Sequence, residues 1–175
     1  MAMLGSGAPV DLLLSSRSLL AKIQNAIPFT HSACVQSESL KLNSSENSKY
    51  EKMASIIGIP AAPVLKALSP NVTLETSLAL VSKGLQLYED LLGIIVNHLE
   101  QKKELSDLKA HISDLKKLIT RMLKVAGGQA EDLPKPTLNL PGDYEVQVAA
   151  HLTLLQLQSF GQDVGRCLES LDQSR

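Results

Sequence analysis

The stretch Glu104–Val125, ELSDLKAHISDLKKLITRMLKV, decides how this chain folds. Leu105, Leu108, Ile112, Leu115, Ile119, Met122 and Val125 recur at spacings of three and four, so a helix gathers them into one apolar stripe. The other face is rich in Lys, as a solvated face is. Gly127-Gly128 follows as a stop signal.

Three more segments carry the same period. Upstream, Thr73 can cap a helix whose periodic residues are Leu74, Leu78, Val81, Leu85, Tyr88, Leu92, Ile95 and Leu99. Its polar face carries Lys83, Glu89 and Asp90. The first segment runs from about Val10 to Gln36, with Leu12, Leu13, Leu19, Leu20, Ile23 and Ile27 on one face. Asp11 sits in its first turn, where a carboxylate suits the helix dipole. Pro28 removes a hydrogen-bond donor, but Ala33 and Cys34 continue the period, so a kink is expected there rather than an end. The last segment, about Asp143 to Leu171, shows Val148, Leu152, Leu155, Phe160, Val164, Cys167, Leu168 and Leu171. No strand pattern of useful length appears.

Connection lengths set the expected topology. The second and third helices are joined by a few residues, so they must be antiparallel neighbours. Ser37–Val72 is a connection of about 36 residues that holds a short helix near Lys49–Ile57 and the punctuation Gly58–Pro63. Gly127–Gly142, with Pro134, Pro136 and Pro141, spans about 16 residues and reaches about 53 Å at roughly 3.3 Å each. Helices of about 22 to 29 residues are roughly 33 to 43 Å long, so both connections can cross the full bundle. The expected fold is all-α: an up-up-down-down four-helix bundle with two long crossover loops. A plain up-and-down bundle is the alternative. Residues 8–175 form its single domain, and Met1–Gly7 reads as an expression scar.

Composition narrows the function. Seventeen Lys and Arg against eighteen Asp and Glu leave no basic surplus for phosphate binding, which argues against nucleic acid. Five aromatic residues and no Trp leave few stacking platforms for bases or sugars. No apolar run approaches the roughly 20 residues that span a bilayer, so no membrane insertion is expected. No metal-protease, redox, phosphate-loop or nucleophile-elbow motif occurs, and the pairs a di-iron bundle needs are missing. His31, His98, His111 and His151 lie on different segments without metal-ligand spacing and read as surface or half-buried helix residues. The expectation is no enzyme, no cofactor and no metal. Asn43 and Asn71 begin sequons that accept sugar if the chain is secreted. Cys34 and Cys167 fall roughly 36 Å apart along the expected bundle, too far for a bond that needs Cα atoms within roughly 7 Å. Cys167, among Phe160, Val164 and Leu171, is expected buried and inert, and Cys34 the more reactive, able to link two otherwise monomeric chains. On composition alone, a lipid or small-ligand carrier and an intracellular helical adaptor are also open.

The ordered motifs resemble granulocyte colony-stimulating factor, a long-chain class-I helical cytokine. Gly58-Ile59-Pro60-Ala61-Ala62-Pro63 followed by Gly84-Leu85-Gln86-Leu87-Tyr88 matches the family's loop and second-helix motifs at the family's separation. Lys22-Ile23-Gln24 matches its first helix, and Leu157-Gln158-Ser159-Phe160 with Arg166, Leu168 and Leu171 matches its last. The resemblance runs from about Val10 to Leu171. Ala67 and Ser77 replace a pair of cysteines that mammalian members join, which suggests a divergent, fish-like member.

The resemblance implies a secreted haematopoietic growth factor that brings class-I receptor chains together and drives granulocyte-lineage proliferation and differentiation. It implies two receptor-binding faces. One, on the first and third helices, takes in Ser18, Lys22, His111 and Asp114, with Ser18 standing where mammalian members carry a glutamate. For Asp114 a plain i,i+3 pair with Lys117, worth about 0.2–0.5 kcal/mol, is the other reading. The second face, at the bundle end, takes in Glu46, Lys49, Glu51 and Tyr144.

Overall fold

The computed structural model describes residues 10–35, 40, 51–61, 65, 73–100, 102–130 and 134–173. Among them are five helices and no strand: α1 (Val10–Cys34), α2 (Glu51–Ile57), α3 (Leu74–Val96), α4 (Lys103–Val125) and α5 (Asp143–Gln173). The expected all-α class holds. The four long helices and the short α2 share one apolar core.

Local chemistry sets the helix ends. Thr73, in extended backbone, accepts from the Thr76 amide at 3.1 Å and so satisfies one of the free donors that open α3. At its far end the amides of Asn97, His98 and Leu99 reach back only three residues, so the chain tightens and leaves the helix before Leu99. α4 closes on a Schellman turn: Gly127 takes a φ of 89°, its amide donates to the Lys124 carbonyl, and Gly128 donates to that of Leu123. α2 ends similarly, with Gly58 at a φ of 99° and Ile59 donating to the Ala54 carbonyl. α1 runs through Pro28, as expected, and stops at Cys34.

Most stripe residues bury as their period requires, while Leu12, Leu19, Leu74, Leu99 and Leu155 are only half-buried. In α4, Leu105, Leu108, Ile112, Leu115, Ile119 and Met122 are buried, but Val125 is exposed and Leu123 takes its place. Val125 lies eleven residues beyond Asp114, three full turns plus about 20°, and therefore shares the outward face of Asp114.

α1 packs against α4 and α5, α3 packs against the same two, and α2 lies on α5. α3 and α4 run antiparallel, as the short connection requires. Lys109 lies against Gly93, and Lys116 Nζ reaches Gln86 at 2.5 Å and Glu89 at 3.1 Å. α1 and α5 are antiparallel too: Leu20 lies near Gly165, Gln24 near Gly161, and His31 against His151. The last turn of α1, the turn after α3 and the first turn of α5 border a cavity of about 420 Å³ that opens to solvent, lined by Ala33, Cys34, His98, Leu99, Glu100, Asp143, Val146 and Gln147. The segment before α5 is stitched to α2, where the Asn139 amide donates to the Ile57 carbonyl at 2.8 Å.

α3 and α5 approach closely where the tip of the Phe160 ring meets Gly84, so that any Cβ there would overlap the ring. Tyr88, with its ring centroid 5.4 Å away, walls the Phe160 ring on one side. Gly84→Val should therefore cost about 1–3 kcal/mol through overpacking, read as a lower urea midpoint with an unchanged slope. In a Phe160→Ala background the same substitution should cost much less, and an equal cost in both backgrounds would refute this account.

Candidate functional site

α1 turns its buried side to α4 and α5 and leaves a solvent face along which Leu14, Ser18, Asn25 and Phe29 fall at near-helical repeats. Ser18 and Lys22, one turn apart, are both exposed on this face. With Leu14, Ser15 and Leu19 they line a shallow hollow of about 500 Å³. Two large apolar side chains stand on the same face: Leu14, and Phe29 at 67% exposure. Sequence reasoning missed both. The signal for Phe29 was its position, two residues past Ile27 and off the stripe that Ile23, Ile27 and Cys34 define.

The neighbouring helix α4 contributes Asp114 and His111. Asp114 is exposed and lies 4.0 Å from Lys117 on its own helix, the local i,i+3 pair that the sequence offered as its second reading. Between side chains this exposed such a pair contributes little. His111 is half-buried. Lys109 and Lys116 reach toward α3, so His111, 200° round the helix from Lys109, lies on the flank toward α1. The four residues thus sit on two helices that pack together, though Asp114 pairs with Lys117 and not with Lys22.

Of the bundle-end residues, Glu46 and Lys49 lie outside the described residues. Glu51 is the first residue of α2, its side chain likewise outside them. Tyr144 is exposed in the first turn of α5. The stitch from Ile57 to Asn139 ties α2 to the segment that leads into this turn. α2 also presents Ile56, 70% exposed, which sequence reasoning did not single out. The sequons at Asn43 and Asn71 lie outside the described residues.

Cys34 and Cys167 are not bonded to each other. Cys34, however, is not the more exposed thiol: the two are 5% and 6% exposed. Burial pushes Cys34 up to about 11, with the Glu104 carboxylate adding to the rise, and burial alone pushes Cys167 to about 11. The reason is local. Cys34 continues the stripe of Ile27 and Thr30, and buried Val35 follows it at the α1 terminus. Two of the four histidines also depart from expectation, since His31 and His151 are buried. Their positions carried the signal: His31 is four residues after Ile27, and His151 three after Val148.

Among the described residues no three His, Cys, Asp or Glu side chains gather as a metal site requires. No helix among them is long and apolar enough to cross a membrane. No protein-family profile matches the sequence, and no curated protein matches it.

The thiolate is the form that reacts, so raising a thiol from its usual 9.0 to about 11 starves it of reactive species at neutral pH. Both cysteines should react with iodoacetamide at pH 8 about a hundredfold more slowly than an unfolded control. Whole-protein mass spectrometry over time checks this. Rapid single labelling at Cys34 would contradict its burial.

Proposed function

We propose that the chain is a secreted helical cytokine that resembles granulocyte colony-stimulating factor and acts by bringing class-I receptor chains together, without catalysis or cofactor. The observation that carries this reading is the outward face of α1. It combines exposed Lys22 and Ser18 with solvent-facing Leu14 and Phe29, next to a helix that exposes Asp114. Apolar anchors within a polar, charged patch are what a protein-binding surface requires, because a few desolvated side chains supply most of the affinity.

The helix arrangement supports the finer topology. α1 and α3 share the same two neighbours, and the C-terminal ends of both reach the cavity that also receives the start of α5. An up-up-down-down bundle, with long crossovers after α1 and after α4, accounts for both facts. On this reading the molecule offers two faces to two receptor chains: Ser18, Lys22, His111 and Asp114 on α1 and α4, and Glu46, Lys49, Glu51 and Tyr144 at the bundle end. Two faces on one rigid body raise the local concentration of the second receptor chain once the first is bound. The ligand is a monomer in this scheme, with Asn43 and Asn71 as its glycosylation positions. The raised pKa values of both thiols weigh against a thiol-linked dimer.

The experiment is binding of the purified chain to the immobilised ectodomain of a granulocyte colony-stimulating factor receptor. Lys22→Glu combined with Asp114→Lys should weaken binding about tenfold or more, with the helical circular dichroism unchanged. Both side chains are exposed, so the fold should tolerate the change. Wild-type affinity in the double variant would remove the α1–α4 face, and no binding by the wild type would remove the function.

A further inference from the structure

The receptor-binding reading makes no use of the two histidines that meet inside the α1–α5 interface. His31 Nε2 and His151 Nδ1 are 2.9 Å apart, with ring centroids 5.2 Å apart and the planes crossing at 68°. One ring must donate its N–H and the other accept with a lone pair. The contact therefore lasts only while one of the two facing nitrogens is free of hydrogen.

Two further features place this pair at a weak point. Pro28, one turn before His31, has no N–H to give the Gln24 carbonyl, so α1 lacks a helical bond just where its last turns begin. Cys34, one turn beyond His31, and Gln147, one turn before His151, both line the cavity of about 420 Å³ at the pole. The pair thus lies one turn beneath a space that receives solvent, at the base of a segment that Pro28 separates from the rest of α1.

We propose that the His31–His151 pair is a proton-operated latch, which pins the last turns of α1 against α5 at neutral pH and lets them part in acid.

The chemistry follows from the hydrogen count. A first added proton on an outer ring nitrogen leaves the contact intact but puts a full positive charge inside the buried α1–α5 interface. A second gives both facing nitrogens a hydrogen, and the contact must break. The titratable groups at the pole one turn away are His98, Glu100, Asp143 and the Cys34 thiol, which line the cavity, and Glu104 of α4, whose charge acts on Cys34; α2 carries Lys52, which is exposed, and the first turn of α5 carries Glu145. The shifts on the imidazoles come from elsewhere. Burial lowers His31, and burial followed by the neighbouring His31 ring lowers His151 to about 4.

A histidine held below its ordinary value binds fewer protons in the closed state than in the open one. Closure is then fully favoured above pH 6.5 and loses ground as the pH falls toward 4. For His151 alone, the opening equilibrium should rise about twentyfold between pH 7 and pH 5.

The test is amide hydrogen exchange of the whole chain at pH 7 and pH 5, corrected for intrinsic exchange rates and read in residues 29–35, 146–152 and, as reference, 85–92 of α3. Residues 29–35 and 146–152 should lose about twentyfold in protection at pH 5 while the α3 reference keeps its own. His31→Gln with His151→Gln, which keeps two hydrogen-bonding side chains that do not titrate, should remove the pH response. The latch is wrong if 29–35 is equally protected at both pH values, or loses protection only in step with α3. A pH response that persists in the glutamine variant also overturns it. Should that variant fail to fold, the wild-type comparison with α3 decides alone.

Discussion

α5 packs against three other helices, α1, α2 and α3, and this leaves its middle with no solvent side. Seven consecutive residues, Val148 to Leu154, are buried, although an amphipathic helix would expose about half of them. Everything around α5 answers that demand. Gly161 and Gly165 let Leu20 and Gln24 of α1 come close, Gly84 of α3 gives room to Phe160, and α2 covers part of what the long helices leave open. A helix enclosed this way must take its polar residues inside with it, which is why His151 and Thr153 are buried. A buried imidazole keeps its place only with a partner, and His31 on the facing helix supplies it.

That enclosure also explains what could and could not be read from the sequence. The three-and-four spacing picked out Leu78, Val81, Leu85, Tyr88, Leu92 and Ile95 of α3 and all of the α4 stripe but Val125, while α3, which packs on both α4 and α5, buries Ser77, Ser82, Gly84, Leu87 and Leu91 as well. Helix ends written in local chemistry, the Thr73 cap and the Gly127-Gly128 turn, were legible as well. α5 was not fully so. Of its periodic residues Val148, Leu152 and Phe160 are buried as expected and Leu155 only half so, but Ala149, Ala150, Thr153, Leu154 and Leu157 join them. Their burial depends on segments far away in the chain, and no local pattern announces that. The candidate faces show the same division. The exposure of Ser18, Lys22, Phe29, Asp114 and Tyr144 follows from helix phase, whereas Ile56 lies on a helix of seven residues, too short to carry a readable period.

The α1–α4 side and the α1–α5 side give α1 two separate kinds of work. Toward solvent it carries short polar and charged side chains, with Leu14 and Phe29 exposed among them. Toward α5 it is closed by small residues and the paired imidazoles. The thiol of Cys34 lies at the junction, buried and held protonated by its apolar surroundings and by Glu104. A cysteine so placed behaves as a small apolar side chain.

The stitch between Ile57 and Asn139 joins residues roughly 80 positions apart, one in the connection after α1 and one in the connection before α5. Closing so large a loop costs entropy that one backbone hydrogen bond cannot repay, so the contact gains value only once the long helices have already brought the two strands of chain together. α2 therefore draws its stability from the helices it rests on. It also fits closely, since the Thr137 carbonyl lies 2.9 Å from where a side chain on Gly58 would begin. The dependence is built into the geometry: the four long helices form the platform, and the short helix clasps one side of it.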